Sequence, residues 1–133
     1  MTQRLNHPQI YINLPVSDLA AAKAFYTALG WDIIPEYTDD NASAVQASDA
    51  VVVMLLKREF FATFHRKETA AADSPREMLN ALAVDTRAGV DEMIRRGREA
   101  GANVYNEPKE GQEMYYGSFE DLDGHGWEFV ANG

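Results

Sequence analysis

The chain contains no cysteine, which removes disulfides, thiolate nucleophiles and cysteine-ligated zinc or iron–sulfur centres together. It is also short of positive charge: 12 Lys and Arg stand against 21 Asp and Glu, for a formal net charge of −9. A nucleic-acid groove or a face for an anionic membrane needs clustered cations, so neither partner is expected. Long apolar runs are missing as well. The longest, residues 50–56, is far too short to span a bilayer, and the opening MTQRLNHP carries no apolar leader. Composition therefore points to a soluble cytoplasmic protein, one domain over residues 1–133, with enough chain for its own core.

What the chain does have is a pattern used twice. Residues 9–19, QIYINLPVSDL, and residues 77–87, EMLNALAVDTR, share Leu14 with Leu82 and Val16 with Val84. Each segment runs into an amphipathic helix that stops at a glycine, Gly30 or Gly101. A repeat of this length predicts two similar supersecondary units with a site where they face each other. Ile10, Ile12, Leu14 and Val16 alternate with Tyr11, Asn13 and Pro15, the period of a strand. Ser17 stands where an N-cap is expected, and Leu19, Ala22, Tyr26 and Leu29 follow at helical spacing. Residues 31–37 read as extended, and 42–47 with 51–56 as a hairpin turning at Ser48 and Asp49.

The second unit repeats the plan: a strand at 78–84, an N-cap at Thr86, and a helix marked by Val90, Met93, Ile94, Gly97 and Ala100. A short strand at 102–105 and the hairpin 114–120/125–130 follow, closed by the turn DLDG at 121–124. The fold class is α+β, two tandem β-α-β-β-β units at 9–56 and 77–131 joined by a connecting segment, 57–76. That segment opens with the aromatic cluster KREFFATFHRK. Phe60, Phe61 and Phe64 either roof a cavity, pack against a second subunit, or form the core side of a short helix.

Three stretches, INLPVSDLAAAKAFYTALGW at 12–31, ALAVDTRAGVDEMIRRGREAGA at 81–102 and GSFEDLDGHGWEF at 117–129, carry a resemblance covering nearly the whole chain. It resembles the vicinal oxygen chelate superfamily, which includes glyoxalase I, bleomycin-resistance proteins, fosfomycin-resistance enzymes and extradiol dioxygenases. It is most similar to bacterial proteins described as predicted lactoylglutathione lyases, which share NLPVxDL, VMLL and FxDLDGHxWE. The resemblance implies two curved mixed sheets forming half-barrels around one site, and pairing of the chain as a homodimer. It also implies that the family's metal-ligand positions fall at Tyr11, Met54, Leu79 and Glu128. Only Glu128 among these suits a hard divalent ion, whereas a catalytic metal needs about three protein ligands. No metal site and no cofactor are therefore expected, and dioxygenase chemistry is not.

The inward positions then define a cleft. If Tyr11 faces inward, so does Asn13. A four-residue turn at 121–124 would pair Glu128 with Gly117 and bring Tyr115 onto the face of Glu128. Leu79, Ala81 and Ala83 supply small apolar walls. Tyr11, Asn13, Met54 and Tyr115, with Phe60 and Phe64, are the expected ligand-binding residues, and the mixture suits a small organic ligand. Glu128 is the candidate catalytic group, a carboxylate kept from water and able to act as a general base; its plain alternative is a strand carboxylate reaching solvent or pairing with an Arg. Tyr11 reads equally as a core aromatic, and Asn13 as a strand-end amide bonding backbone. Three functions remain open: metal-independent sequestration of a small aromatic or cationic compound, as in bleomycin resistance; a glyoxalase-type lyase or isomerase using Glu128; and an interaction module. Small-molecule binding fits the residues best.

Overall fold

The computed structural model describes residues 2–132, so the two end residues of the expected 1–133 domain lie outside the described ones. The first unit runs β1 (Ile10–Val16), α1 (Leu19–Ala28), β2 (Asp32–Ile34), β3 (Ala42–Ser48) and β4 (Val51–Lys57). A short α2 (Arg58–Phe61) and a 3-10 turn open the connecting segment. The second unit runs β5 (Leu79–Ala83), α3 (Arg87–Glu99), β6 (Asn103–Gly111), β7 (Met114–Glu120) and β8 (Gly126–Ala131). Each unit forms a four-stranded sheet, in the orders β1-β4-β3-β2 and β5-β8-β7-β6. In both, the first and last strands of the unit pair in parallel while the other pairs are antiparallel. The repeated sequence pattern is thus a repeated topology.

Local chemistry accounts for the element ends. Asp18 rather than Ser17 caps α1, its Oδ1 accepting from the Ala21 N–H at 3.0 Å; an acceptor side chain satisfies an orphan amide of the first turn. Thr86 caps α3 in the same way through Gly89 N–H at 3.0 Å. Past the helices, Gly30 and Gly101 take φ of +95° and +104°, the left-handed conformation that ends a helix and that glycine adopts without a side-chain clash. Two expectations need correction. Only Asp32–Ile34 of 31–37 is strand, because Pro35 opens a 3-10 turn. The strand expected at 102–105 extends to Gly111, passing Pro108, which an edge strand tolerates because one side of its backbone has no partner to donate to.

The helix-facing sides of both sheets meet in one core. Leu14, Val16, Val45, Val53 and Leu55 of the first unit join Val90, Ile94, Phe119, Trp127 and Phe129 of the second. Trp31 and Trp127 meet edge to face at 5.4 Å between ring centroids, and Phe25 meets Phe119 at 5.9 Å. Inside this apolar junction lies one polar chain. The Tyr26 hydroxyl on α1 donates to Asp121 Oδ2 and accepts from Trp127 Nε1–H at 2.9 Å. Asp121 Oδ1 in turn accepts from the backbone N–H groups of Asp123 at 2.9 Å and His125 at 2.8 Å. Burial pushes the Asp121 carboxyl above its ordinary value, against His125 and the hydrogen bonds that favour the charged form. Asp123 also accepts from Ser17 N–H at 2.9 Å, and the His125 ring bonds the Pro15 carbonyl at 2.8 Å.

Removing the Tyr26 hydroxyl strands the Trp127 N–H and one Asp121 oxygen in a buried site. Tyr26→Phe should cost about 1–3 kcal/mol in urea unfolding, and a loss below ~0.3 kcal/mol would contradict the role given to this bond. Asp121 holds its proton more tightly folded than unfolded, so native stability falls as pH rises from the ordinary 3.8 toward its raised folded value. Asp121→Asn should gain on the parent protein across that range, measured as urea midpoints at successive pH values. Parallel curves would show that the buried carboxyl has no such effect.

Candidate functional site

The side chains that alternate away from the shared core form the open faces of the two sheets. On the first, Tyr11 and Asn13 of β1 lie beside Val52 and Met54 of β4 in the register Tyr11↔Val52 and Asn13↔Met54. The aromatic segment roofs part of this face. Phe60 and Phe64 meet edge to face at 5.0 Å and, with Met54, Asn13, Tyr37 and Leu56, enclose a pocket of about 350 Å³. An adjoining groove of about 640 Å³ follows the free edge of β1, between Tyr11, Asn13, Phe61, Phe64, Met78 and Asn80. Tyr11 remains 46 % exposed and Phe64 68 %. The Tyr11 hydroxyl donates to Gln9 at 3.0 Å, and the Asn13 amide to the Tyr11 carbonyl at 3.2 Å. Tyr11 is therefore not a core aromatic, and Asn13 borders both pockets while its side-chain oxygen takes no donor among the described residues.

On the second sheet, Glu128 of β8 lies between Ala81 of β5 and Ser118 of β7. With Arg76, Leu79, Tyr105, Asn106 and Glu120 it lines a pocket of about 400 Å³. Glu128 is half-buried and makes no hydrogen bond or ion pair among the described residues. Burial raises the Tyr105 hydroxyl above its ordinary value; Arg76 opposes that rise and Glu128 adds to it. Arg76, from the end of the connecting segment, is held by the Gly124 carbonyl at 2.6 Å and by Glu120. Its position beside Glu128 had no periodic signal in the sequence, because it follows Pro75 in an irregular stretch.

Tyr115 is a correction. It lies on the helix-facing side of β7, its hydroxyl donating to Asp91 of α3 at 2.5 Å, with Arg87 over its ring at 5.0 Å. The hairpin loop holds five residues, 121–125, closed by Asp121 N–H to the His125 carbonyl at 2.9 Å. Glu128 therefore faces Ser118 and not Gly117, and a one-residue slip of register carries every side chain to the other face. Tyr116 takes the place expected of Tyr115 on the open face. A second correction concerns the cleft as a whole. Within the chain, Tyr11, Asn13, Met54, Phe60 and Phe64 gather on the first sheet and Glu128 on the second, in neighbouring pockets and not in one cavity.

The donor set does not fit a catalytic divalent metal. The four positions that the resemblance assigns hold a phenol already bonded to Gln9, a thioether, a hydrocarbon and one carboxylate, where such a metal needs about three good ligands. Among the described residues no helix is long and apolar enough to cross a membrane.

Among solved structures, the chain is similar to a hypothetical protein from S. aureus, with 30 % identity, a TM-score of 0.80 and 92 % of each chain covered. It is similar in fold to a glyoxalase-related enzyme from Fulvimarina pelagi (22 % identity, TM-score 0.78, covering 92 % of this chain and 86 % of that one). A lactoylglutathione lyase from Agrobacterium tumefaciens shares the fold at 19 % identity and TM-score 0.67, over 92 % and 91 % of the two chains. No curated protein matches the sequence. The model of the glyoxalase/bleomycin resistance protein/dioxygenase superfamily matches residues 4–129. With the duplicated four-stranded units and their paired open faces, this match establishes that the chain belongs to that superfamily.

Proposed function

We propose that the protein binds a small organic ligand on the open faces of its two sheets, without a metal, and that a second copy of the chain covers those faces. Glu128 carries the reading. A half-buried carboxylate that makes no hydrogen bond or ion pair among the described residues, set in a pocket with Leu79 and Tyr105, is an acceptor waiting for a donor from a ligand. The first sheet contributes an aromatic and apolar surface, Tyr11, Met54, Phe60 and Phe64, with Asn13 as its polar group. Together they suit a compound with an apolar body and a cationic or hydrogen-donating end, which fits sequestration of the bleomycin-resistance kind. A second reading, lyase or isomerase chemistry with Glu128 as general base, is favoured by one observation. Arg76 and the Tyr105 hydroxyl stand in the same pocket as donors, and such donors stabilise the anion that proton abstraction creates.

The two readings separate in one variant. Glu128→Gln should weaken binding of phenylethylamine by about 1.5–3 kcal/mol, the range for a hydrogen bond to a charged group, and leave 2-phenylethanol nearly unchanged in calorimetric titrations. A lyase would instead lose orders of magnitude in turnover with a modest change in substrate affinity. Equal effects on both probes would remove Glu128 from the site. For the assembly, Tyr11, Leu79 and Tyr105 are 46 %, 47 % and 41 % exposed, an apolar surface that a partner copy would cover. Sedimentation at low micromolar concentration should give twice the 14.8 kDa chain mass. A clean monomer would leave the aromatic segment as a lid over its own chain's pocket.

A further inference from the structure

Arg76 stands at the junction of two cavities. Among the described residues around the Glu128 pocket and the neighbouring cavity of about 280 Å³ beneath the connecting segment, Arg76 alone borders both. Three contacts fix it. Nη1 donates to the Gly124 carbonyl at 2.6 Å, Nη2 donates to the Glu120 carboxylate, and the guanidinium lies across Gly126. A Cβ at Gly126 would stand 3.1 Å from the Arg76 guanidinium carbon and 2.9 Å from Leu79 Cδ2, so a side chain at 126 would displace the guanidinium from where it now rests. Two of its five N–H groups are used by these bonds. The other three take no acceptor among the described residues, and guanidinium N–H groups are the donors that recognise carboxylate or phosphate.

The pocket then holds Arg76, paired with Glu120 yet with donors to spare, and Glu128, a carboxylate that takes no donor among the described residues, together with the hydrocarbon of Leu79 and the ring of Tyr105. We propose that Arg76 is a specificity-determining residue that takes the anionic end of the ligand while Glu128 takes its ammonium or donor end, so that the ligand class is a small zwitterion with an apolar body. This deepens the reading of Glu128 given above and rests on it.

Three probes that share one apolar body test the assignment by calorimetry: phenylalanine with both charges, phenylethylamine with the cation alone, and 3-phenylpropionate with the anion alone. Phenylalanine should bind at least tenfold more tightly than either of the others. Arg76→Gln should cost tenfold or more for phenylalanine and 3-phenylpropionate while leaving phenylethylamine as tight or tighter, and Arg76→Lys should restore part of the loss. Suppose instead that phenylethylamine binds in a Glu128-dependent way, and that the folded Arg76→Gln protein binds all three probes as before. Arg76 then only fastens the connecting segment, and the inference is overturned while the Glu128 reading stands. Failure of every probe, or indifference of every probe to Glu128→Gln, overturns both.

Discussion

The hydrogen bond from Tyr26 to Asp121 is the constraint on which the arrangement of the molecule depends. It ties the helix of the first unit to the β7–β8 turn of the second, inside a core otherwise built of Trp31, Trp127, Phe25 and Phe119. Apolar contact alone is non-directional and would let two helix-backed sheets slide over each other. A buried carboxylate that must collect the Tyr26 hydroxyl and the N–H groups of Asp123 and His125 has one position that satisfies it. From that position follow the His125 bond to Pro15 and the Asp123 bond to Ser17, which hold the end of β1 against the second unit. The edges of β1 and β5, and the open faces that run from them, are placed by this junction.

The same turn connects the core to the site. Gly124 and Gly126 flank His125, one offering its carbonyl to Arg76 and the other leaving space for the guanidinium. Asp121 faces inward to the junction, while Glu120, its neighbour, faces outward to Arg76. A single strand end thus serves packing on one side and holds Arg76 on the other, through the alternation of side chains along β7. Arg58, bonding the carbonyls of Thr69 and Ala70 at 3.2 and 3.1 Å, ties the start of the connecting segment to its later part, adding to the packing of α2 against β1 and β4.

Much of the fold was legible in the sequence because it rests on strong local signals. The alternation from Ile10 to Val16, the N-cap at Thr86 and the left-handed glycines at 30 and 101 each act within a few residues. The pairing of Glu128 was not legible, since a four- and a five-residue hairpin loop differ by one residue and nothing in DLDGH decides between them; that difference moved Tyr115 to the helix side and Tyr116 to the open face. Arg76 was invisible for another reason. Its place depends on the course of an aperiodic segment and on a carbonyl far along the chain, and both are tertiary facts. Strand parity alone fixes Tyr11 and Asn13 on one face, whereas Met54 was set beside them by the family resemblance, and the register Asn13↔Met54 agrees with it.

We propose that ligands enter through the open faces, with Glu128 as the anchoring acceptor. Backbone amide chemical shifts followed during titration with phenylethylamine test it most directly. Entry through those faces should give saturable shifts concentrated in β8 around Glu128, in β5 and in the segment around Arg76, with a weaker set in β1 around Tyr11 and Asn13. Shifts confined to the outer surface of α3, or spread without saturation over the chain, would contradict it.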